Sequence, residues 1–351
     1  MALISKKKKI FPVSDHLMKY LRNHGRQMDI PIKYDDLTRA NNAIPLYDSE
    51  DNDTLWETLF FPQDDMKHIY YGLKNIYAIL KADGDLSVME HLYVDRVDAC
   101  TYGNTYPFRV RIVNQINDNF DYFYIKKADA SRIYGLELEH LLSPNRMSYI
   151  VNGETLIEEH IPGIPGDQFI RNYMNDGKLN KIRLAKEFVK FTERCFVRLL
   201  GDMHSSNFVI DITPDFEEIH YRIKSIDFDQ QSYEGRKAVY MPQYFKQNNP
   251  IIELGLELMT PATVKQYQKE ERSLIVNRMK ASDHNLKELM KAMRKDKLTT
   301  PENLANLKEE LAEHYKHNEF RNCKTMGEVV AVSLTYLKEH NNLTNQHNFL
   351  T

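Results

Sequence analysis

The stretch "LLGDMHSSNFVIDI", residues 199–212, places polar side chains between two apolar segments. Asp202, His204 and Asn207 lie at its centre, where the pattern predicts a loop between two short strands. A carboxylate in such a loop can accept a hydroxyl proton, and an amide oxygen is a hard ligand suited to Mg²⁺. This stretch alone therefore indicates proton transfer beside a metal ion.

A second acid follows in "YRIKSIDFDQQ", residues 221–231. The apolar alternation of this segment predicts a strand that delivers Asp227 to its end. Two carboxylates and an amide that converge at strand ends favour a site for a magnesium nucleotide. The metal would neutralise charge on a phosphate chain, which is most of what phosphoryl transfer requires.

A site for phosphates also needs a cation, and "YFYIKKAD", residues 122–129, offers Lys126 and Lys127. Side chains alternate across a strand, so only one of the two lysines can point into a cleft. The next segment, "ASRIYGLELEHLL", is a predicted helix, and it offers Glu137 or Glu139 to hold that lysine.

The order of predicted elements indicates an α+β chain. Residues 1–90 are predicted to be mainly helical, because apolar residues between 66 and 80 recur at helical spacing. Three strands then follow with short turns between them, and such close joins favour an antiparallel meander. Residues 162–167, "PGIPGD", resemble a hinge, and the chain after them is predicted to be mostly helical. We therefore predict domains at residues 1–90, 91–161 and 162–351.

Composition excludes several classes of protein. The chain has 351 residues and a formal net charge of −3, which indicates no general affinity for nucleic acid or an anionic membrane. Its three cysteines lie far apart and form no metal-binding pair. No apolar stretch reaches the roughly 18–20 residues that a membrane span needs, and the start lacks a secretion signal. We expect a cytoplasmic protein.

Taken together, these segments resemble the protein-kinase-like phosphotransferases, and most closely the aminoglycoside phosphotransferase and choline kinase branch. That branch has a loop of the form H-G-D-x-H-x-x-N, and residues 200–207 here read L-G-D-M-H-S-S-N. It continues with I-D-[FW], matched by residues 226–228. The resemblance implies a small antiparallel N-lobe with one helix, a mostly helical C-lobe, and here an added N-terminal helical region.

The same resemblance implies roles for the residues of these motifs. Asp202 would be the base or orienter for the accepting hydroxyl, and Asn207 and Asp227 would be Mg²⁺ ligands. Mg²⁺-ATP would lie between the lobes and pass its γ-phosphoryl group to an acceptor that the sequence does not identify.

Further roles fall on the predicted N-lobe. Lys126 would contact the α- and β-phosphates, with Lys127 as the alternative. Glu137 matches the helix glutamate of the family better than Glu139 does. The backbone from Glu159 to Ile161 would bind the adenine edge.

Three departures from the family pattern stand out. Leu200 replaces the usual histidine, and Asp229 replaces the usual glycine after Asp-Phe. The phosphate loop is poor in glycine, so that Thr101, Gly103 and Asn104 would supply its contacts.

Two alternatives remain at this point. A kinase-like fold that binds nucleotide without catalysis would act as a scaffold, and the atypical loop and Leu200 point that way. Asp227 and Asp229 also spell the D-x-D of metal-dependent glycosyltransferases. Those enzymes need a βαβ nucleotide-binding region, where this sequence predicts a meander.

Overall fold

The structure is a computed structural model that describes residues 8–48, 50–100, 106–214 and 219–347. It confirms an α+β chain with antiparallel sheets and many helices. Within the described residues, no helix combines the length and the apolar character needed to cross a bilayer.

The chain divides into two compact units. One, the sheet unit, comprises residues 12–130 and 147–160. The other, the helical unit, comprises residues 1–11, 131–146 and 161–351. These bounds differ from the predicted ones at residues 90 and 161, and the three-part division of the chain stays a prediction.

The sheet unit is built on a sheet in which every pair of neighbouring strands is antiparallel. Its strand order is β1-β2-β3-β4-β5-β7-β6. The elements of this unit are α1 (Asp15–Asn23), α2 (Tyr34–Leu37), β1 (Asn42–Tyr47), β2 (Asp53–Phe60), α3 (Gln63–Ala82), β3 (Leu92–Cys100), β4 (Phe108–Asn114), β5 (Phe120–Lys127), β6 (Tyr149–Asn152) and β7 (Thr155–Glu159).

One face of this sheet forms the core of the unit. Phe108, Phe123 and Ile125 are buried there in one cluster with Leu73 and Ile76 of α3. Alternate residues of β5 point to the other face, which carries Tyr122, Tyr124 and Lys126. The predicted meander of three strands is confirmed as β3, β4 and β5.

The expectation that residues 1–90 are mainly helical is wrong in one region. β1 and β2 form a hairpin there and add two strands to the sheet. Most residues of β1 are exposed, so this strand lacks the apolar alternation that marks a half-buried strand. Pro45 also argues against a strand from sequence alone, because proline is tolerated in sheets only at edges, which is where β1 lies.

The helical unit contains a second, three-stranded antiparallel sheet of order β10-β9-β8. Its elements are α4 (Ala130–Leu142), of which only Ala130 falls in the sheet unit, β8 (Ile164–Pro165), α5 (Gly166–Tyr173), α6 (Lys181–Arg198), β9 (Phe208–Pro214), β10 (Ile219–Ser225), α7 (Asn249–Leu258), α8 (Pro261–Ala281), α9 (Asp283–Met293), α10 (Pro301–Tyr315) and α11 (Met326–His347).

Helix α4 groups with the helical unit, although the sequence predicts it as the one helix of a sheet lobe. Its contacts explain the difference. The Tyr134 hydroxyl donates to Asp296 at 2.7 Å, and Glu139 forms a buried ion pair with Arg198 of α6. These buried polar contacts fasten α4 to residues more than fifty positions later in the chain.

Candidate functional site

The loop that carries Asp202 begins where α6 ends. Leu199 closes that helix in the left-handed conformation, with a φ of 57°. The loop then lies against the segment after Asp227, because Gly201 N–H donates to Gln230 O at 3.2 Å and Ser232 N–H donates to Leu199 O at 2.8 Å. Glycine suits this close approach, since a Cβ on Gly201 would lie 3.0 Å from the Val239 side chain and 3.1 Å from Gln230 O.

Asp202 is held in a strained backbone conformation, with a φ of 60°. Non-glycine residues in this region cost free energy and cluster at functional sites. The Asp202 N–H donates to Val239 O at 3.0 Å, while its carbonyl accepts from the His204 N–H at 2.9 Å and from Asn207 Nδ2 at 2.8 Å. The loop therefore fixes the backbone of Asp202 on both sides.

Asn207 links the two predicted motifs. Its Nδ2 donates to Asp202 O, which leaves the amide oxygen as the acceptor end of the side chain. The backbone carbonyl of Asn207 accepts a hydrogen bond from the N–H of Ile226 at 3.0 Å, and Ile226 is the residue before Asp227. The structure thus brings Asp202, Asn207 and Asp227 into one local site at the adjoining ends of β9 and β10.

Asp227 meets a residue that the sequence did not single out. Arg132 of α4 is buried, and its Nη1 donates to Asp227 Oδ1 at 2.7 Å and to Asp229 Oδ1 at 2.8 Å. The Asp229 N–H donates to the same Asp227 oxygen at 3.1 Å. One guanidinium therefore binds both acids of the Asp-Phe-Asp turn.

The carboxyl group of Asp202 has a perturbed pKa. Burial raises the pKa of Asp202 to about 7, and the negative charges of Asp227, Glu234 and Asp229 add to the effect. Its side chain keeps 26% exposure, so the group remains accessible. A carboxyl with a pKa near neutrality is suited to act as a general base.

His204 lies beside this carboxyl. Its Nε2 is 3.9 Å from Asp202 Oδ1, and its Nδ1 accepts from the Ser206 N–H at 3.3 Å. Burial lowers the pKa of His204, against the opposing charges of Asp227 and Asp167. A neutral imidazole that accepts at Nδ1 carries its proton at Nε2, on the side of Asp202.

The donor set suits a hard cation. Within the described residues, no group of three or more His, Cys, Asp or Glu side chains is placed to hold a metal ion. Mg²⁺, however, is usually bound by one or two protein oxygens together with phosphates and waters. The amide oxygen of Asn207 and the carboxylate of Asp227, 35% exposed, fit that chemistry.

The sheet unit carries the predicted phosphate-binding lysines. Lys126 is buried and its Nζ lies 2.9 Å from Glu158 Oε2 on the neighbouring strand β7. Lys127 is more exposed and pairs with the exposed Glu154 at 3.4 Å. The two lysines thus differ as strand alternation predicts, and Lys126 is the one whose carboxylate partner is buried.

The other predicted N-lobe residues lie as follows. Glu137 and Glu139 are both buried in α4, where Glu139 is engaged by Arg198. The Glu159 N–H donates to Ser148 O at 3.0 Å within the sheet unit, and Ile161 is the first residue of the next segment of the helical unit. Thr101, Gly103 and Asn104 lie outside the described residues.

Three residues of the site were not predicted from the sequence. Arg132 reaches Asp227 from 95 positions earlier in the chain, and Glu234, seven residues after Asp227, adds negative charge near Asp202. The Asn248 amide donates to Met203 O at 2.9 Å and to Pro242 O at 2.7 Å. Asn248 thereby ties the loop after Asp202 to the start of α7.

Comparisons with known proteins give little further guidance. The sequence matches no protein-family model, and no curated protein matches it. Two solved structures show a distant likeness at 14% identity. "Titin kinase and its flanking domains" has a TM-score of 0.26, with 78% of this chain and 61% of that chain covered. The autoinhibited serine kinase domain of the giant muscle protein titin has a TM-score of 0.27, with 70% and 93% covered. Neither score is high enough to assign a fold.

Proposed function

We propose that this protein is a phosphotransferase that moves the γ-phosphoryl group of Mg²⁺-ATP to a hydroxyl group. The observation that carries the proposal is the local site in the helical unit. There a strained, accessible Asp202 with a pKa near 7 is bonded through Asn207 to the turn that holds Asp227. A base and two oxygen ligands, held in one loop and the adjoining turn, are parts that such a reaction uses.

Each residue of the site would have a separate role in the phosphoryl transfer. Asp202 would orient the accepting hydroxyl and take its proton. The acceptor oxygen would form a bond to the γ-phosphorus while the bond from that phosphorus to the leaving ADP oxygen breaks. His204, protonated at Nε2, would limit the movement of that carboxylate. Asn207 and Asp227 would hold Mg²⁺, which supplies neutralising charge for the phosphates when it is bound. The roles predicted for Lys126, Glu137 and the backbone of residues 159–161 stay predictions.

Two other functions are weaker candidates. A nucleotide-binding scaffold would have no physical need for a strained Asp202 with a raised pKa, because both cost stability. A metal-dependent glycosyltransferase would use Asp227 and Asp229 together for its metal, yet the Asp229 side chain is largely buried against Arg132, at 2.8 Å. The named strands of the described residues also pair only in the antiparallel sense, unlike the βαβ region such an enzyme needs.

The proposal predicts Mg²⁺-dependent formation of ADP from ATP that rises with the right acceptor. Purified protein would be assayed for ADP with sugars, amino alcohols, nucleosides and hydroxyl-bearing peptides, with and without Mg²⁺. Asp211→Asn is a matched control, because Asp211 lies on β9 and pairs with Lys224 away from the loop. It should form ADP at the rate of wild type.

The ADP assay, together with a measurement of nucleotide binding, separates the three candidate functions. Binding of Mg²⁺-ATP without ADP formation from any acceptor would favour the scaffold, and binding of a nucleotide sugar in place of ATP would favour the glycosyltransferase. A protein that neither binds ATP nor forms ADP would contradict the proposal outright.

A further inference from the structure

A buried guanidinium lies under the proposed metal ligand. Arg132 is 2% exposed, and its Nη1 is shared between Asp227 Oδ1 and Asp229 Oδ1. Its Nη2 adds a longer contact of 3.4 Å to the carbonyl of Ile226. The guanidinium therefore touches the backbone before Asp227, the side chain of Asp227 and the side chain of Asp229.

The helix that carries Arg132 is fastened to the same turn. The Ser131 hydroxyl donates to Gln231 O at 2.5 Å. One turn later, a Cβ on Gly135 would lie 3.0 Å from Phe228 and 3.2 Å from Gln231, so glycine permits the close approach. Contacts on both sides of Arg132 thus hold the start of α4 against residues 226–231, and they fix the position from which the guanidinium reaches Asp227.

Arg132 and Asp229 also form a matched pair of charges. The family pattern has glycine where Asp229 stands, so this chain adds a carboxylate two residues after its metal-binding acid. An added buried carboxylate is costly unless a cation binds it. Arg132 is the cation that binds Asp229, and its Nη1 is therefore shared between the carboxylates of Asp229 and Asp227.

Two hydrogen bonds fall on the same oxygen of Asp227. Oδ1 accepts from both Arg132 Nη1 and the Asp229 N–H, at 2.7 and 3.1 Å. Two donors on one oxygen fix the plane of a carboxylate. Partners of this kind, which orient a metal ligand without touching the metal, are usually worth about 10–100-fold in metal affinity or activity.

We propose that Arg132, held by Asp229, is a positioning residue for the divalent metal at Asp227. This inference rests on the proposed function, in which Asp227 is a metal ligand. It assigns to the first turn of α4 a part in metal binding that the family motifs do not contain. Charge alone makes the opposite prediction, because removal of a nearby cation should strengthen the binding of another cation.

The test is the affinity for Mn²⁺ alone, followed by electron paramagnetic resonance of the free ion. Arg132→Gln should weaken Mn²⁺ binding by about 10–100-fold, and Arg132→Lys should recover part of the loss because it restores a donor and the charge. Arg132→Gln leaves the buried Asp229 and the partly exposed Asp227 without their guanidinium and can impair folding. Asp229→Asn is therefore a second variant, in which the guanidinium is left to Asp227 and Mn²⁺ binding should again weaken.

Asp211→Asn is the matched control, because it removes an acid that pairs with Lys224 in the same unit without touching the contacts of Arg132. It should leave the Mn²⁺ affinity unchanged. Unchanged or tighter Mn²⁺ binding in folded Arg132→Gln, or unchanged binding in Asp229→Asn, would overturn the positioning role while the proposed function stands on its ADP assay. If wild type neither binds Mn²⁺ nor forms ADP, the proposed function falls as well.

Discussion

Asp202→Asn is expected to lower the rate of ADP formation by about 10²–10⁴-fold, the usual range for loss of a general base. The amide keeps the shape of the side chain but cannot take the proton of the accepting hydroxyl. Because the Asp202 backbone is fixed by bonds to Val239 and Asn207, the loop should keep its geometry. Steady-state rates at saturating Mg²⁺-ATP and acceptor would measure the effect, and a rate within threefold of wild type would contradict the role of Asp202.

The same variant should be more stable than wild type at high pH in the absence of metal. The folded-state pKa of Asp202 is about 7, whereas the ordinary pKa of an aspartate side chain is 3.8. Between these values the folded state binds more protons than the unfolded state, so this group lowers the stability of wild type as pH rises from about 4 to 7. Asparagine has no such charge.

Thermal unfolding at pH 5 and pH 8 measures this effect directly. Asp202→Asn should exceed wild type in melting temperature at pH 8, and the difference should shrink at pH 5, where Asp202 is protonated. Asp211→Asn serves again as the control for removal of an acid outside the loop. A difference of the same size at both pH values would mean that the pKa of Asp202 is not raised.

Among the variants described here, Arg198→Leu is expected to lower the free energy of unfolding the most. Arg198 and its partner Glu139 are both buried, and Arg198 also donates to Ser225 Oγ at 3.3 Å. Burial lowers the pKa of Arg198 to about 9, which shows how poorly solvated the guanidinium is. Removal of one partner from a buried ion pair leaves the other charge uncompensated, which costs about 3–5 kcal/mol.

Urea unfolding would measure this loss. The double variant Arg198→Leu with Glu139→Leu should recover much of it, because replacing both partners with apolar residues removes the unpaired charge. A single variant within about 1 kcal/mol of wild type would show that the pair is not buried in solution.

The sequence predicted the parts of the fold whose signal is local. Strand-type composition identified β3 and β5 and apolar alternation identified β4, and the start and end of α4 agree with the predicted segment, residues 130–142. The hairpin of β1 and β2 was not predicted because β1 is largely exposed and most of β2 is only half-buried, so neither strand has one clear apolar face. The grouping of α4 with the helical unit could not be predicted, because it depends on contacts to residues such as Arg198 and Asp296.

In the candidate site, too, the sequence predicted the residues of local motifs but not the residues that depend on tertiary contacts. Asp202, Asn207 and Asp227 lie in two short motifs, and short-range order was enough to predict that they converge. Arg132 lies 95 positions before Asp227, in a helix whose charged residues are expected to be solvated, so no local pattern marks it. Strand alternation predicted that Lys126 and Lys127 differ, but Glu158 as the partner of Lys126 depends on the register of β5 and β7.

Binding of Mg²⁺-ATP, measured as stabilisation against unfolding, tests most directly whether the loop and the Asp227 turn form a metal–nucleotide site. Wild type with ligand at a hundred times its dissociation constant should gain about 2.7 kcal/mol, and the gain should fall sharply without Mg²⁺ or in Asp227→Asn. Asp211→Asn should behave as wild type. Equal stabilisation of wild type and Asp227→Asn, or none in wild type at any concentration of Mg²⁺-ATP, would contradict the assignment.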